Sequence, residues 1–130
     1  MSTPTDPAPA VLPKNFIRPC VLLLLRERPG HGYDLIERLA ALGFDRDDPG
    51  RLYRALRTLE ADGLVQSAWE PSTVGPSRRI YELTRAGMEE LHSAALGLQS
   101  TEQVLSTFLS RYGEFVTLSH SGVSEPTRGR

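Results

Sequence analysis

Residues 50–70 read GRLYRALRTLEADGLVQSAWE, and residues 75–84 read GPSRRIYELT. In the first stretch Leu52, Leu56 and Leu59 recur at steps of four and three. At about 3.6 residues per turn they cluster within about 60° on a helical wheel, which predicts a helix with one buried stripe. Asp48 before Pro49 supplies a start signal for it, and Gly63 a stop. Beyond Gly63 the period changes. Leu64–Trp69 (LVQSAW) and Arg78–Leu83 (RRIYEL) are short strand-like runs, joined by EPSTVGPS, a segment of turn residues. A helix therefore runs straight into a hairpin.

Upstream of this unit lie two more helical patterns. NFIRPCVLLLLRER starts at Asn15, a plausible side-chain cap, with Pro19 tolerable in the first turn. It is apolar on nearly every side and should be central. Pro29-Gly30-His31-Gly32 breaks it. GYDLIERLAAL follows, with Tyr33, Leu35, Ile36, Leu39 and Leu42 at helical spacing, and ends at Gly43. Thr84 opens a long helical stretch downstream. The order helix, helix, helix, strand, strand, helix is that of a winged helix-turn-helix. The fold class is mainly α with a small β-hairpin wing, plus a C-terminal helix. The expected divisions are a disordered arm at 1–14 with four prolines in its first 13 residues, a winged helix-turn-helix at 15–83, a dimerisation helix at 84–116, and a disordered tail at 117–130.

In that fold the helix beginning at Arg51 enters the major groove, and the hairpin lies beside it. With the leucine stripe buried, the other side presents Arg54, Arg57 and Thr58, with Arg51 and Tyr53 on the flanks. Such a face suits phosphate and base-edge contacts, and equally an ordinary solvated surface with Glu60 paired to a neighbouring Arg. The wing favours the first over a surface hairpin with no ligand. Arg78 and Arg79 stand at the start of the returning strand, next to the flexible tip. Side chains alternate along a strand, so Arg79 should share a face with Tyr81 and Leu83 while Arg78 and Ile80 point away. Arginine at that place suits the DNA backbone or a narrow minor groove.

Global charge does not announce this. The 130-residue chain has 15 Lys and Arg against 16 Asp and Glu, a formal net charge of -1, so any nucleic-acid surface is local. Arg supplies 14 of the 15 basic residues. The single cysteine, Cys20, excludes an internal disulfide and reads as a small buried hydrophobe. The longest apolar run, Cys20–Leu25, is too short for a membrane span, and no secretory signal is apparent, so a cytoplasmic location is expected. His31, His92 and His120 have no metal-ligand spacing, and no phosphate loop, nucleophile elbow or carboxylate pair occurs. Neither an enzyme, a metal site nor a cofactor is expected.

The C-terminal stretch carries a pattern that fits pairing with a second subunit, or packing within its own chain. Met88, Leu91, Ala95, Leu98, Glu102, Leu105, Leu109 and Tyr112 follow steps of three and four, a heptad seam widened by Val104 and Phe108. Pairing with the same helix of a second subunit would bury Met88, Leu91, Leu98, Leu105, Phe108, Leu109 and Tyr112, and would space two reading helices for a two-fold DNA site. Gly97 and Ser100-x-x-Gln103 suggest a kink or restart at 97–101.

Val21–Leu39, Gly50–Glu70 and Gly75–Leu91 together resemble the PadR family of bacterial transcriptional regulators, through His31-Gly32-Tyr33, Leu52-Tyr53-Arg54, Gly63-Leu64-Val65, Trp69 and Gly75-Pro76-x-Arg78-Arg79. The resemblance covers about Phe16 to Leu96. It implies a dimeric winged-helix protein, in most members a repressor, bound to double-stranded DNA with a two-fold operator. It also implies that Tyr53 and Arg54 reach DNA from the recognition helix, Arg78 and Arg79 from the wing, and Tyr33 from the start of the second helix. Room for one C-terminal helix places the chain with the shorter members. Some of those hold flat aromatic drugs against a tryptophan of the last helix, and no tryptophan follows Trp69 here. Any small-molecule effector, unidentified from sequence, is expected near Trp69 or Gly97. The competing reading is a winged-helix adaptor that binds another protein without specific DNA binding.

Overall fold

The computed structural model describes residues 8–124, with side chains described to residue 117. Residues 1–7 of the expected arm and 125–130 of the expected tail lie outside that range. The elements are α1 (Ile17–Glu27), β1 (Gly30–His31), α2 (Gly32–Ala40), α3 (Pro49–Ala61), β2 (Val65–Glu70), β3 (Arg78–Leu83) and α4 (Arg85–Ser124). The chain divides into two compact units at Leu91/His92.

The first unit is a winged helix-turn-helix. α1 supplies Cys20, Val21, Leu22, Leu24 and Leu25 to its core, α2 supplies Leu35 and Leu39, and α3 supplies Leu52, Leu56 and Leu59. Leu64, Val65 and Tyr81 close it from the wing side. The three-stranded sheet has the order β1-β3-β2 and is antiparallel throughout. The two-residue strand β1 lies where the sequence shows only a helix break. It pairs Gly30 with Tyr81 and His31 with Ile80, and so ties the start of α2 to the wing.

Two local devices fix the helix-turn-helix. α2 and α3 end in the same way. The N–H of Phe44 donates to the carbonyl of Leu39 and that of Gly43 to Ala40; likewise Leu64 donates to Leu59 and Gly63 to Glu60. The pivot glycines, Gly43 (φ 104°) and Gly63 (φ 77°), sit in the left-handed region that a Cβ disfavours. The second device is Arg38, whose side chain is only 10 % exposed. Its guanidinium donates to the carbonyl oxygens of Leu24 and Arg28 at the end of α1, and pairs with Asp34 at 3.2 Å. It adds a second donor to the Leu24 carbonyl, which already accepts from the Arg28 N–H, and so ties α2 to the end of α1.

Some start signals work differently from the expectation. Asn15 does not cap α1. It adopts φ 58°, and α1 starts after Phe16 without a side-chain cap. Asn tolerates the left-handed region, so it makes the turn into the helix instead of capping it. Asp48 holds the N-cap position of α3 with Pro49 behind it, but its carboxylate makes no capping bond. At α4 the signal is used: Thr84 Oγ1 accepts from the N–H of Gly87 at 3.0 Å and donates to the carbonyl of Gly63 at 2.7 Å.

α4 passes Gly97 without a break and reaches Ser124, beyond residue 116 where the sequence reading placed its end. Ser100 and Thr101 do not cap a new helix; their hydroxyls bond back to the carbonyls of Leu96 and Gly97. One glycine costs a helix interior about 1 kcal/mol, which the continuous backbone ladder on either side outweighs. From Thr101 to Tyr112 every residue of the helix is exposed.

Candidate nucleic-acid interface

Burial of the leucine stripe turns the rest of α3 outward. Arg51, Arg54, Arg57 and Thr58 are exposed, and Tyr53 is 40 % exposed. Tyr53 and Arg57 face the sheet side of the helix. The phenol of Tyr81, buried in the wing, lies within the electrostatic reach of Tyr53, Arg57, Glu60 and Arg79, and burial pushes its pKa up. Arg51, Arg54 and Thr58 lie on the other side, where with Asn15, Ile17 and Arg18 they line a groove between α3 and the start of α1. The Arg51 guanidinium stacks 5.2 Å from the centre of the Phe44 ring.

The two helices of the motif touch where Gly32 meets the Tyr53 ring. A Cβ on Gly32 would lie 2.5–2.8 Å from the Tyr53 ring, so glycine at the first position of α2 is what lets the ring in. The neighbouring Tyr33 is 74 % exposed. It is therefore a surface residue and not part of the core stripe that its spacing suggested. The N-terminus of α2 thus lies beside the Tyr53 ring, with Tyr33 exposed on the next residue.

On the wing, Arg78 is exposed and Arg79 half-buried, as strand alternation requires. Arg79 opposes Trp69, and Ser67 opposes Tyr81, on the same face of the hairpin. Arg79 Nε donates to Ser67 Oγ at 2.9 Å, and its guanidinium lies 5.1 Å from the centre of the Trp69 ring. Trp69 remains 63 % exposed. Glu60 of α3 accepts from Ser67 Oγ at 2.7 Å. Glu82 accepts from Gln66, and Glu70 contacts His31. Three nearby acids, Glu60, Glu70 and Glu82, are thus taken up by other side chains. Among the described residues no ion pair involves Arg51, Arg54, Arg57, Arg78 or Arg79.

Sequence reasoning did not single out Ser67 or the links of Glu60 and His31. These links depend on strand register, which only the paired hairpin fixes. Trp69 belongs to the family resemblance, but its contact with Arg79 follows from that same register.

Residues 21–93 match the transcriptional regulator PadR-like family. The chain belongs to that family. It is accordingly a transcriptional regulator and not an enzyme. It is 42 % identical over 81 residues to a transcriptional regulator of Mycobacterium tuberculosis, Rv3488, which covers 54 % of this chain and 73 % of the relative. Among solved structures it is similar to TM0937, described as a potential transcriptional factor, at 32 % identity and a TM-score of 0.69, over 78 % of this chain and 91 % of that one. A PadR-like transcription factor from Bacteroides fragilis gives 28 % identity and a TM-score of 0.62, over 73 % and 91 %. The PadR winged helix-turn-helix with a long C-terminal helix is the fold described above. No helix among the described residues is long and apolar enough to cross a membrane.

Proposed function

We propose that this PadR-family chain acts as a homodimeric repressor that reads a two-fold operator with α3 and holds the flanking backbone with its wing. The observation that carries the reading is the burial of Leu52, Leu56 and Leu59, which leaves Arg51, Tyr53, Arg54, Arg57 and Thr58 outward, with no ion pair among the described residues to occupy the arginines. Tyr33 and the N-terminus of α2 would take one phosphate, and Arg78 and Arg79 would take others across the wing.

Dimerisation is supported by α4. Leu91, Leu98, Leu105 and Tyr112 stand seven apart, as do Met88 and Leu109 with Ala95 and Glu102 between them. Leu105, Phe108, Leu109 and Tyr112 are all more than half exposed in the single chain. Leu91 already packs on the core of its own unit, so the seam proper would run from Leu98 onward. Val104, Phe108 and Phe115 widen the apolar face. A small apolar effector seated on that face would release DNA only by preferring one spacing of the two α3 helices over another.

A titration with duplex from the region upstream of its own gene, followed by polarisation at two salt concentrations, tests the reading. Selective, salt-sensitive binding over a random duplex supports it. Absence of binding to any duplex at low salt would remove it.

A further inference from the structure

The wing arginine of this protein does not stand free. Arg79 Nε donates to Ser67 Oγ at 2.9 Å, and Ser67 Oγ lies 2.7 Å from Glu60 Oε2. A guanidinium can only donate and an ionised carboxylate can only accept. The hydroxyl must therefore accept from Arg79 and point its own proton at Glu60. The direction of both bonds follows from chemistry alone. Glu60 belongs to α3, Ser67 to β2 and Arg79 to β3, so the three side chains bridge the recognition helix and both strands of the wing. Trp69 covers one face of the guanidinium. With Nε held and one face stacked, the Nη groups keep a set direction, which is the geometry a bidentate phosphate contact needs.

We infer that Ser67 and Glu60 are positioning residues for DNA binding: they lock Arg79, and with it the wing, to the recognition helix before DNA arrives. This rests on the reading of Arg79 as a backbone contact. An arginine on a free hairpin would lose rotamer freedom on binding a phosphate; here that ordering is already done. Helix and wing then meet the duplex as one rigid piece. Glu60, which alone would repel DNA, has its carboxylate turned into the hairpin.

The test needs no operator, because phosphate contacts are indifferent to sequence. Full-length Ser67→Ala, Ser67→Thr, Arg79→Ala and the double variant Ser67→Ala/Arg79→Ala are titrated with a random-sequence duplex at low salt, with thermal melts alongside. Ser67→Ala should weaken binding by about three- to tenfold, the scale of one net hydrogen bond, with the salt slope of the parent, since no charge is lost. Ser67→Thr keeps the hydroxyl and should bind like the parent. Arg79→Ala should lower the slope by about 0.9, and adding Ser67→Ala to it should cost nothing more. If Arg79→Ala weakens binding but Ser67→Ala does not, the positioning role is wrong and the wing contact stands. If Arg79→Ala binds like the parent, the wing contact is wrong and the positioning role goes with it. If the double variant is weaker than Arg79→Ala alone, Ser67 acts by some other route and the inference is overturned.

Discussion

His31 Nε2 lies 2.7 Å from Glu70 Oε1, which joins the strand ahead of α2 to the far end of β2, across β3. Because the carboxylate only accepts, Nε2 carries the proton. Glu70 is also the direct cross-strand neighbour of Arg78, its natural partner by position. The imidazole takes the carboxylate instead. His31→Ala is expected to return Glu70 to Arg78 and weaken DNA binding. Glu70→Gln should then raise affinity more in the His31→Ala background than in the parent. Equal gains in both backgrounds would show that the two residues do not compete for Glu70. The contact is half-exposed, so its loss should cost at most about 1 kcal/mol of stability.

Arg54→Ala and Tyr53→Ala address the recognition helix. Loss of a bidentate contact to a base should cost about 1–3 kcal/mol on the operator and relax selectivity at one position. Arg54 is exposed, so its melting temperature should barely move; Tyr53, packed on Gly32, should lose some stability as well. Unchanged operator affinity in both would take α3 out of the groove.

Arg78 offers a cleaner wing test than Arg79, since its side chain has no hydrogen bond or ion pair among the described residues. Arg78→Ala should weaken specific and random duplex alike and reduce the log-log salt slope by about 0.9. A parent-like slope would mean that the side chain never meets a phosphate.

Leu105→Asp with Leu109→Asp would put carboxylates into the seam proposed on α4, where desolvation without a partner is costly. Sedimentation should report a monomer, with DNA binding reduced. A variant that remains dimeric would move the interface to another surface.

Burial pushes the Cys20 thiol up from 9.0 to about 11. An acid whose folded pKa is raised stabilises the fold below its unfolded value and loses that contribution as pH climbs to the folded one. The fold should therefore weaken between about pH 9 and about pH 11 through this group, and Cys20→Ala should flatten that part of the pH profile. Alkylation of the native protein at neutral pH should be far slower than that of the unfolded chain.

Much of this architecture is legible in the chain because its signals are periodic or stereochemical. Leu52, Leu56 and Leu59 declare a helix face, and all three are among the best-buried side chains. Gly43 and Gly63 mark helix ends because the backbone there takes positive φ. β1 escaped because two residues have no period to read. Asn15 misled because the same side chain serves as a cap or as a left-handed turn, and only the path of the chain decides. The Glu60–Ser67–Arg79 link was invisible for a different reason. It requires that Ser67 lie opposite Tyr81 and Trp69 opposite Arg79, a register that depends on the conformation of the intervening tip. A one-residue slip would have turned every one of these side chains to the other face.

The glycines of α4 are not equivalent. At Gly87 a Cβ would fall well inside contact distance of the Leu64 carbonyl and against the Leu83 side chain, whereas at Gly97 and Gly113 it would meet nothing within 4 Å. The first turn of the helix is thus seated directly on the joint between α3 and β2, with Thr84 fastened to Gly63 beside it. A single added methyl at position 87 would act as a wedge under the helix and lift it from that joint. The same methyl at position 97 would only stiffen it, by about 1 kcal/mol. One helix therefore contains a position with no tolerance and, ten residues on, a position with stability in reserve.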